Sequence, residues 1–363
     1  MYKLSNNLQA PPPPPPPPPP KTKVKASQVI PVVILVVSVI GALYFSGFFN
    51  GTSVLTPTNT PLLTPTNTPV IAHALTGKIA FIDSTDEAGH QRAVYVMDTD
   101  GSNLTQLTDY SIGAQDPVWS PDGKKIAFAS INDGGIYTIN ADGTNLTRIV
   151  YKTVYDEYTD TWHIAANEHP SWSPNGSMIV YASFGDEDSG TTVANANIYV
   201  VNSDGTGARR LTNDLSYEGQ PSWSPDGSKI AFVYAKDEGD GYSNYHIYVM
   251  NADGSNWVQL TDRNITVSNM DPDWSPDGTK IIFTGDGDEH QGVFCINLND
   301  KSQKFIGVIG GSPKWSPDGT KIITDGYESR RGVMRIWITN ADGSNSKEIE
   351  TPMGAYEPDW ASQ

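Results

Sequence analysis

The 363-residue chain is charged unevenly: residues 1–76 carry four lysines (Lys3, Lys21, Lys23, Lys25) and no acid, while residues 77–363 carry 20 basic against 41 acidic residues, a formal charge of −21. A field of that sign repels phosphate backbones, which argues against a nucleic-acid partner and favours solubility, cationic partners or divalent cations. Cys295 is the only cysteine, so no intramolecular disulfide can form and the fold must rest on packing and closure.

Residues 1–28 form a basic tail containing ten consecutive prolines, Pro11 to Pro20, which can only be a polyproline II rod with a solvated backbone. It reads as a stiff spacer, with docking into an aromatic-grooved partner as the alternative. Residues 29–49, VIPVVILVVSVIGALYFSGFF, are uncharged and long enough as a helix to cross the ~30 Å hydrocarbon core. Pro31 falls in the first turn, where proline is tolerated. Lys21, Lys23 and Lys25 precede this span and no base follows until Lys78. A single-pass anchor is therefore expected at the cell membrane, with the N-terminus cytoplasmic and the remainder outside. The competing reading, a cleaved signal peptide, calls for a shorter apolar region and a nearby small-x-small site. Residues 50–76, with TPTNTP at Thr56–Pro61 and again at Thr64–Pro69, cannot bury a core and read as an extended stalk.

From residue 77 a repeat takes over. Pro-x-Trp occurs six times, ending at Trp119, Trp172, Trp223, Trp274, Trp315 and Trp360. The first five copies continue as Trp-Ser-Pro-Asp/Asn-Gly and an apolar run such as Ile126-Ala127-Phe128: strand, tight turn, strand. A third strand rich in β-branched and aromatic residues follows, such as Ile198-Tyr199-Val200 or Ile247-Tyr248-Val249. Then comes an Asn-Ala/Ser-Asp-Gly turn, with Asp98-Thr-Asp-Gly in the first copy and Asn299-Asp300 in place of Asp-Gly in the fifth. A fourth strand is expected at Gln106-Leu107-Thr108, Arg210-Leu211-Thr212 and Gln259-Leu260-Thr261. Four antiparallel strands in each repeat of this length are the mark of a propeller blade. The expected fold is all-β: a six-bladed β-propeller over residues 77–363, preceded by one transmembrane helix. The first copy lacks its Pro-x-Trp strand, and the unaccompanied Tyr356-Glu357-Pro358-Asp359-Trp360 is expected to complete that blade and close the ring.

The pattern P-x-W-S-P-D-G-x-x-I-A-F … I-Y-V-M-N-A-D-G … L-T resembles the repeat of the TolB-like propellers, also seen in the propeller halves of prolyl-oligopeptidase-type peptidases. Asn175 departs from it at a turn Asp and Thr324 at an aromatic. Neither a small α/β domain before the propeller, as in TolB, nor a hydrolase domain after it is visible. The resemblance implies a protein-binding role without naming the partner.

No G-x-S-x-G elbow and no H-E-x-x-H is present, so hydrolase chemistry lacks a visible nucleophile or zinc site. The repeated Asp-x-Asp-Gly segments resemble the opening of a calcium loop, but they recur where a hairpin needs Asp-Gly anyway and lack the bidentate Glu at the twelfth position. Propeller geometry puts both hairpin turns of each blade on one face and the variable loops on the other. The long insertion Tyr151 to Glu168 belongs to the variable face and carries Tyr151, Tyr155, Tyr158 and Trp162, either a recognition patch or packing for the insertion itself. The residue before each Pro-x-Trp is expected to begin an innermost strand, placing Asp116, His169, Gln220, Asp271, Ser312 and Glu357 around the channel mouth on that face. Such a ring suits a protein or peptide partner of cationic character. No cofactor is expected, with a divalent cation at the mouth, and a lactonase-like metal hydrolase built on it, as the alternative.

Overall fold

The computed structural model describes residues 77–361 except 85–90, 152, 157–160, 165, 185–195, 215, 238–242, 262–267, 287–289, 308–309, 328–333 and 352–353. The tail, span and stalk expected over residues 1–76 lie outside the described residues. Among the described residues no helix is long and apolar enough to cross a membrane.

The repeat dictates the strands. β1 (Lys78–Ser84), β2 (Arg92–Asp98) and β3 (Thr105–Gln106) open the array, followed by β4 (Ala114–Trp119), β5 (Lys125–Ser130), β6 (Ile136–Asn140) and β7 (Thr147–Val150). A hairpin of β8 (Thr153–Asp156) and β9 (Thr161–Ile164) precedes β10 (Asn167–Trp172), β11 (Met178–Phe184), β12 (Ala196–Asn202) and β13 (Arg209–Arg210). Then come β14 (Tyr217–Trp223), β15 (Lys229–Asp237), β16 (Ser243–Asn251) and β17 (Val258–Gln259), and β18 (Ser268–Trp274), β19 (Lys280–Asp286), β20 (Gln291–Asn297) and β21 (Gln303–Phe305). The array ends with β22 (Gly311–Trp315), β23 (Lys321–Tyr327), β24 (Met334–Asn340) and β25 (Lys347–Ile349), and β26 (Tyr356–Trp360).

Apart from the β8–β9 hairpin, these strands pair as four-stranded antiparallel groups in chain order. A single parallel pairing, Tyr245 with Ser268, links the β14–β17 group to the β18–β21 group. The chain's end closes its beginning: β26 lies beside β1, with Ile79 opposite Trp360 and Ile82 opposite Tyr356. The first strands also follow one another around a cycle, β4 packing against β10, β10 against β14, β14 against β18, β18 against β22, β22 against β26 and β26 against β4.

Each second strand is covered on both faces by neighbouring groups, which is why it reads as a continuous apolar run rather than an alternation. Ile79 to Ile82 and Ile126 to Ala129 are fully buried. The cores lie between groups, and each holds one tryptophan of the Pro-x-Trp motif. Trp223, for example, joins Val180, Ile198 and Val200 of one group to Ile230, Phe232 and Met250 of the next.

The turn chemistry resolves as expected, with two refinements. In Trp-Ser-Pro-Asp-Gly, Ser120 Oγ donates to Asp122 Oδ1 at 2.7 Å and accepts the Lys125 N–H at 2.9 Å, a staple repeated by Ser224, Ser275 and Ser316. In the fifth copy Asp300-Lys301, rather than Asn299-Asp300, takes the Asp-Gly role. Asp300 Oδ1 accepts from Ser302 N and Oγ, Lys301 adopts φ +58°, and the hairpin is one residue longer than its sisters. The fourth strands are shorter than expected. They stop before Leu-Thr, because Thr108, Thr212 and Thr261 turn inward to accept the N–H of Val94, Ile198 and Ile247 at 2.9 Å.

Candidate functional site

All six residues nominated before Pro-x-Trp share one unusual backbone state: φ is +52° at Asp116, His169 and Glu357, +50° at Gln220, +53° at Asp271 and +46° at Ser312. The structure corrects their expected place. They do not begin the first strands but sit inside them, at a β-bulge. Gln115 pairs with Ala129 and Val118 with Ala127, so Asp116 and Pro117 together face Phe128, and the other first strands shift register at the same point. Proline suits the bulge because no ladder N–H is required of it there. A left-handed non-glycine residue costs on the order of 1 kcal/mol, and such strain persists where surrounding contacts over-determine it.

Those contacts run from group to group. Glu357 Oε2 accepts the Asp116 N–H at 2.7 Å, and Asp116 Oδ2 accepts the His169 N–H at 3.0 Å. Gln220 Oε1 accepts the Asp271 N–H at 3.0 Å, its Nε2 donates to Asp271 Oδ1 at 2.7 Å, and Asp271 accepts the Ser312 N–H. Asp325 on β23 does this for the last joint, its Oδ2 accepting the Glu357 N–H at 2.8 Å and its Oδ1 the Gly311 N–H at 3.2 Å. The His169 ring lies 3.6 Å from Asp116 Oδ1 and 3.9 Å from Glu168 Oε2. The ring therefore brings all six nominated residues into one system, and its side chains hold neighbouring groups together as well as presenting charge.

A second tier lies two residues further along each first strand. Asp359 Oδ2 accepts the Trp119 N–H at 2.7 Å, Ser171 Oγ the Trp223 N–H at 3.2 Å and Asp273 Oδ2 the Trp315 N–H at 2.9 Å. Lys314 stands in this tier with its Nζ 3.7 Å from Asp273 Oδ1. Burial opposes the Lys314 charge, but Asp273, Asp359, Asp271 and Asp116 hold its ammonium above the usual lysine range. The carboxyls respond the other way. Burial raises Glu168 and Asp359 to about 7 and Asp325 to about 6, and it also raises Asp271 and Asp273. Burial, reinforced by Asp116, lifts Glu357 well above the normal carboxyl range. Carboxyls buried and crowded in this way keep their protons above the ordinary carboxyl range.

Residues 189–363 match the family described as the TolB beta propeller domain. Over these residues the chain is similar to the TolB β-propellers. Over 148 residues, 40% of the chain, it is 31% identical to a TolB homolog of Chlorobium luteolum, and the match spans 29% of that protein's length. A crystal structure of TolB from Acinetobacter baumannii superposes with a TM-score of 0.64 at 22% identity, covering 79% of this chain and 67% of the other. An oligogalacturonate lyase in complex with manganese superposes with a TM-score of 0.51 at 12% identity, covering 75% and 73%. At such identities the two structures speak for the fold alone.

The ring includes groups that sequence reasoning did not nominate. The second tier was legible as the middle residue of Pro-x-Trp. Asp325 was not, because it stands where the other second strands carry residues such as Ile82, Ala129 and Val233. Of the insertion aromatics, Tyr151 is exposed and lies under the Arg148 guanidinium, 4.4 Å from ring centroid to Cζ. Tyr155 and Trp162 pair across the β8–β9 hairpin, while Tyr158 and the Trp162 side chain lie outside the described residues. The Asp-x-Asp-Gly segments prove to be self-contained turns: Asp100 Oδ1 accepts the Ser102 N–H at 2.9 Å and its hydroxyl at 2.6 Å. Among the described residues no group of three or more His, Cys, Asp or Glu side chains is placed to hold a metal ion.

One buried acid stands beside the ring. Asn167 and Asn269, each two residues before a ring residue, donate Nδ2 to the carbonyls of Gly134 and Tyr245. At the same register Glu218, 0% exposed, accepts only the Thr212 hydroxyl at 3.1 Å on Oε2, and burial raises its pKa to about 8. Between the ordinary glutamate value and about 8 the folded chain holds a proton that the unfolded chain has released, so stability falls as pH rises through that window. The Glu218→Gln variant lacks this loss. Its advantage over wild type should grow to about 3 kcal/mol between pH 5 and pH 8 in urea titrations, and a pH-independent difference would show the reading to be wrong.

Proposed function

We propose that the chain is a membrane-anchored, extracytoplasmic binding module. In this reading the groups of strands are six blades, the stalk over residues 50–76 holds them clear of the membrane, and the channel mouth recognises a protein or peptide of cationic character. TolB-likeness supports a protein-interaction module. The observation that carries the choice of surface is the ring itself: Asp116 and Asp271 stand at joints between groups of a closed cycle, on a domain of formal charge −21. A field of that sign gathers a basic partner before contact and makes association salt-sensitive.

Because these carboxylates also cap neighbouring N–H groups, the appropriate substitutions keep the acceptor and remove the charge. Asp116→Asn and Asp271→Asn together should reduce capture of a basic partner from cell-envelope extract at least tenfold. Capture at wild-type level would remove the mouth from consideration. Protease protection of residues 1–28 in sealed membrane vesicles tests the anchor and its orientation.

A further inference from the structure

Strand β26 is fastened to both neighbours through carboxyls. Glu357 Oε2 and Asp359 Oδ2 accept the N–H groups of Asp116 and Trp119, both at 2.7 Å, tying β26 to β4. On the other side Asp325 Oδ2 accepts the Glu357 N–H at 2.8 Å, tying it to β23. Elsewhere the joints also use neutral caps, Ser171 and Gln220. This is the joint where the last strand of the chain completes the first group, so its strength decides whether the cycle stays closed.

The charged groups around the three caps are unbalanced. Glu357 faces Asp116 on β4 and Asp325 on β23, with Arg92 of β2 as its cation. Asp359 faces Asp273 on β18 and Lys314 on β22. Asp325 faces Asp271 on β18, Ser312 on β22 and Glu357 itself. His169 and Glu168 on β10 stand behind Asp116. A protonated carboxyl still accepts an N–H through its carbonyl oxygen, so all three bonds survive protonation. Ionisation of all three instead adds three negative charges to a buried cluster served by Lys314 and Arg92.

We propose that β26 is a proton-dependent latch, fastened while Glu357, Asp359 and Asp325 keep protons and loosened as they ionise. Burial holds these three carboxyls above the ordinary range, so the folded chain binds protons that the unfolded chain releases, and closure weakens as pH rises through neutrality. The latch requires no partner and stands or falls apart from the binding role.

Hydrogen exchange on the full chain from pH 6 to pH 8.5, corrected for intrinsic exchange, reads it directly. Protection over residues 356–360 and 116–119 should fall about tenfold more across that range than protection over β20 (Gln291–Asn297). The triple variant Glu357→Gln, Asp359→Asn and Asp325→Asn should track β20, and Asp325→Asn alone, a milder change, should show a shallower slope than wild type. A wild-type profile that tracks β20, or either variant matching the wild-type slope, overturns the latch.

Discussion

Gly254→Ala is expected to cost more than about 3 kcal/mol in denaturant titration. A Cβ on Gly254 would lie 2.5 Å from the Leu211 carbonyl oxygen of the preceding group, a backbone atom that cannot step aside, and φ there is +93°. The Asp-Gly turn therefore answers two demands: the hairpin needs the left-handed residue, and the neighbouring group needs the missing side chain. Gly343 against Ile306, Gly205 against Ile149 and, across the closure, Gly101 against Glu350 repeat the close approach. Gly307 supplies the control. Its φ is +86° but nothing lies within 4 Å of its Cβ position, so Gly307→Ala should cost only the conformational term, about 1 kcal/mol. Equal losses at Gly254 and Gly307 would mean that inter-group contact plays no part.

Trp223→Ala should cost about 3–5 kcal/mol, the range for truncating a large aromatic in a packed core. Trp223 is nearly buried between two groups, against Val180 and Ile198 on one side and Phe232 and Met250 on the other. Its loss opens a cavity at a joint rather than inside a sheet. The prediction is checked by urea unfolding, and a loss below about 1 kcal/mol would show that the joints do not depend on the motif tryptophan.

The strand order, both hairpin turns and the closing strand were legible in the sequence, because each rests on local chemistry: Ser-Pro-Asp-Gly staples, Asp-Gly turns and apolar runs. The six residues before Pro-x-Trp were legible as a set, since the motif fixes their phase. Their left-handed backbone and their role as caps were not, because both arise where groups distant in the chain meet, as Asp116 meets His169, 53 residues on. Asp325 escaped notice for a related reason. It compensates for Ser312 from the paired strand β23, opposite Gly311, and only the closed cycle brings it to the Glu357 N–H. The longer fifth hairpin was hidden as well, since its extra residue shows only once Ser302 is seen to donate to Asp300, which places Lys301 rather than Asp300 at the left-handed position.

The central claim is that the mouth is the recognising surface, and it is tested by removing equal charge from opposite faces. The mouth variant carries Asp116→Asn and Asp271→Asn. The hairpin-face variant carries Asp142→Asn and Asp253→Asn, where an amide oxygen can still accept the turn N–H. With the full chains matched in net charge, capture of a basic partner at moderate salt should drop at least tenfold for the mouth variant and stay near wild type for the hairpin-face variant. Equal losses would reduce the effect to overall charge, and a loss confined to the hairpin-face variant would place recognition on the opposite side of the molecule.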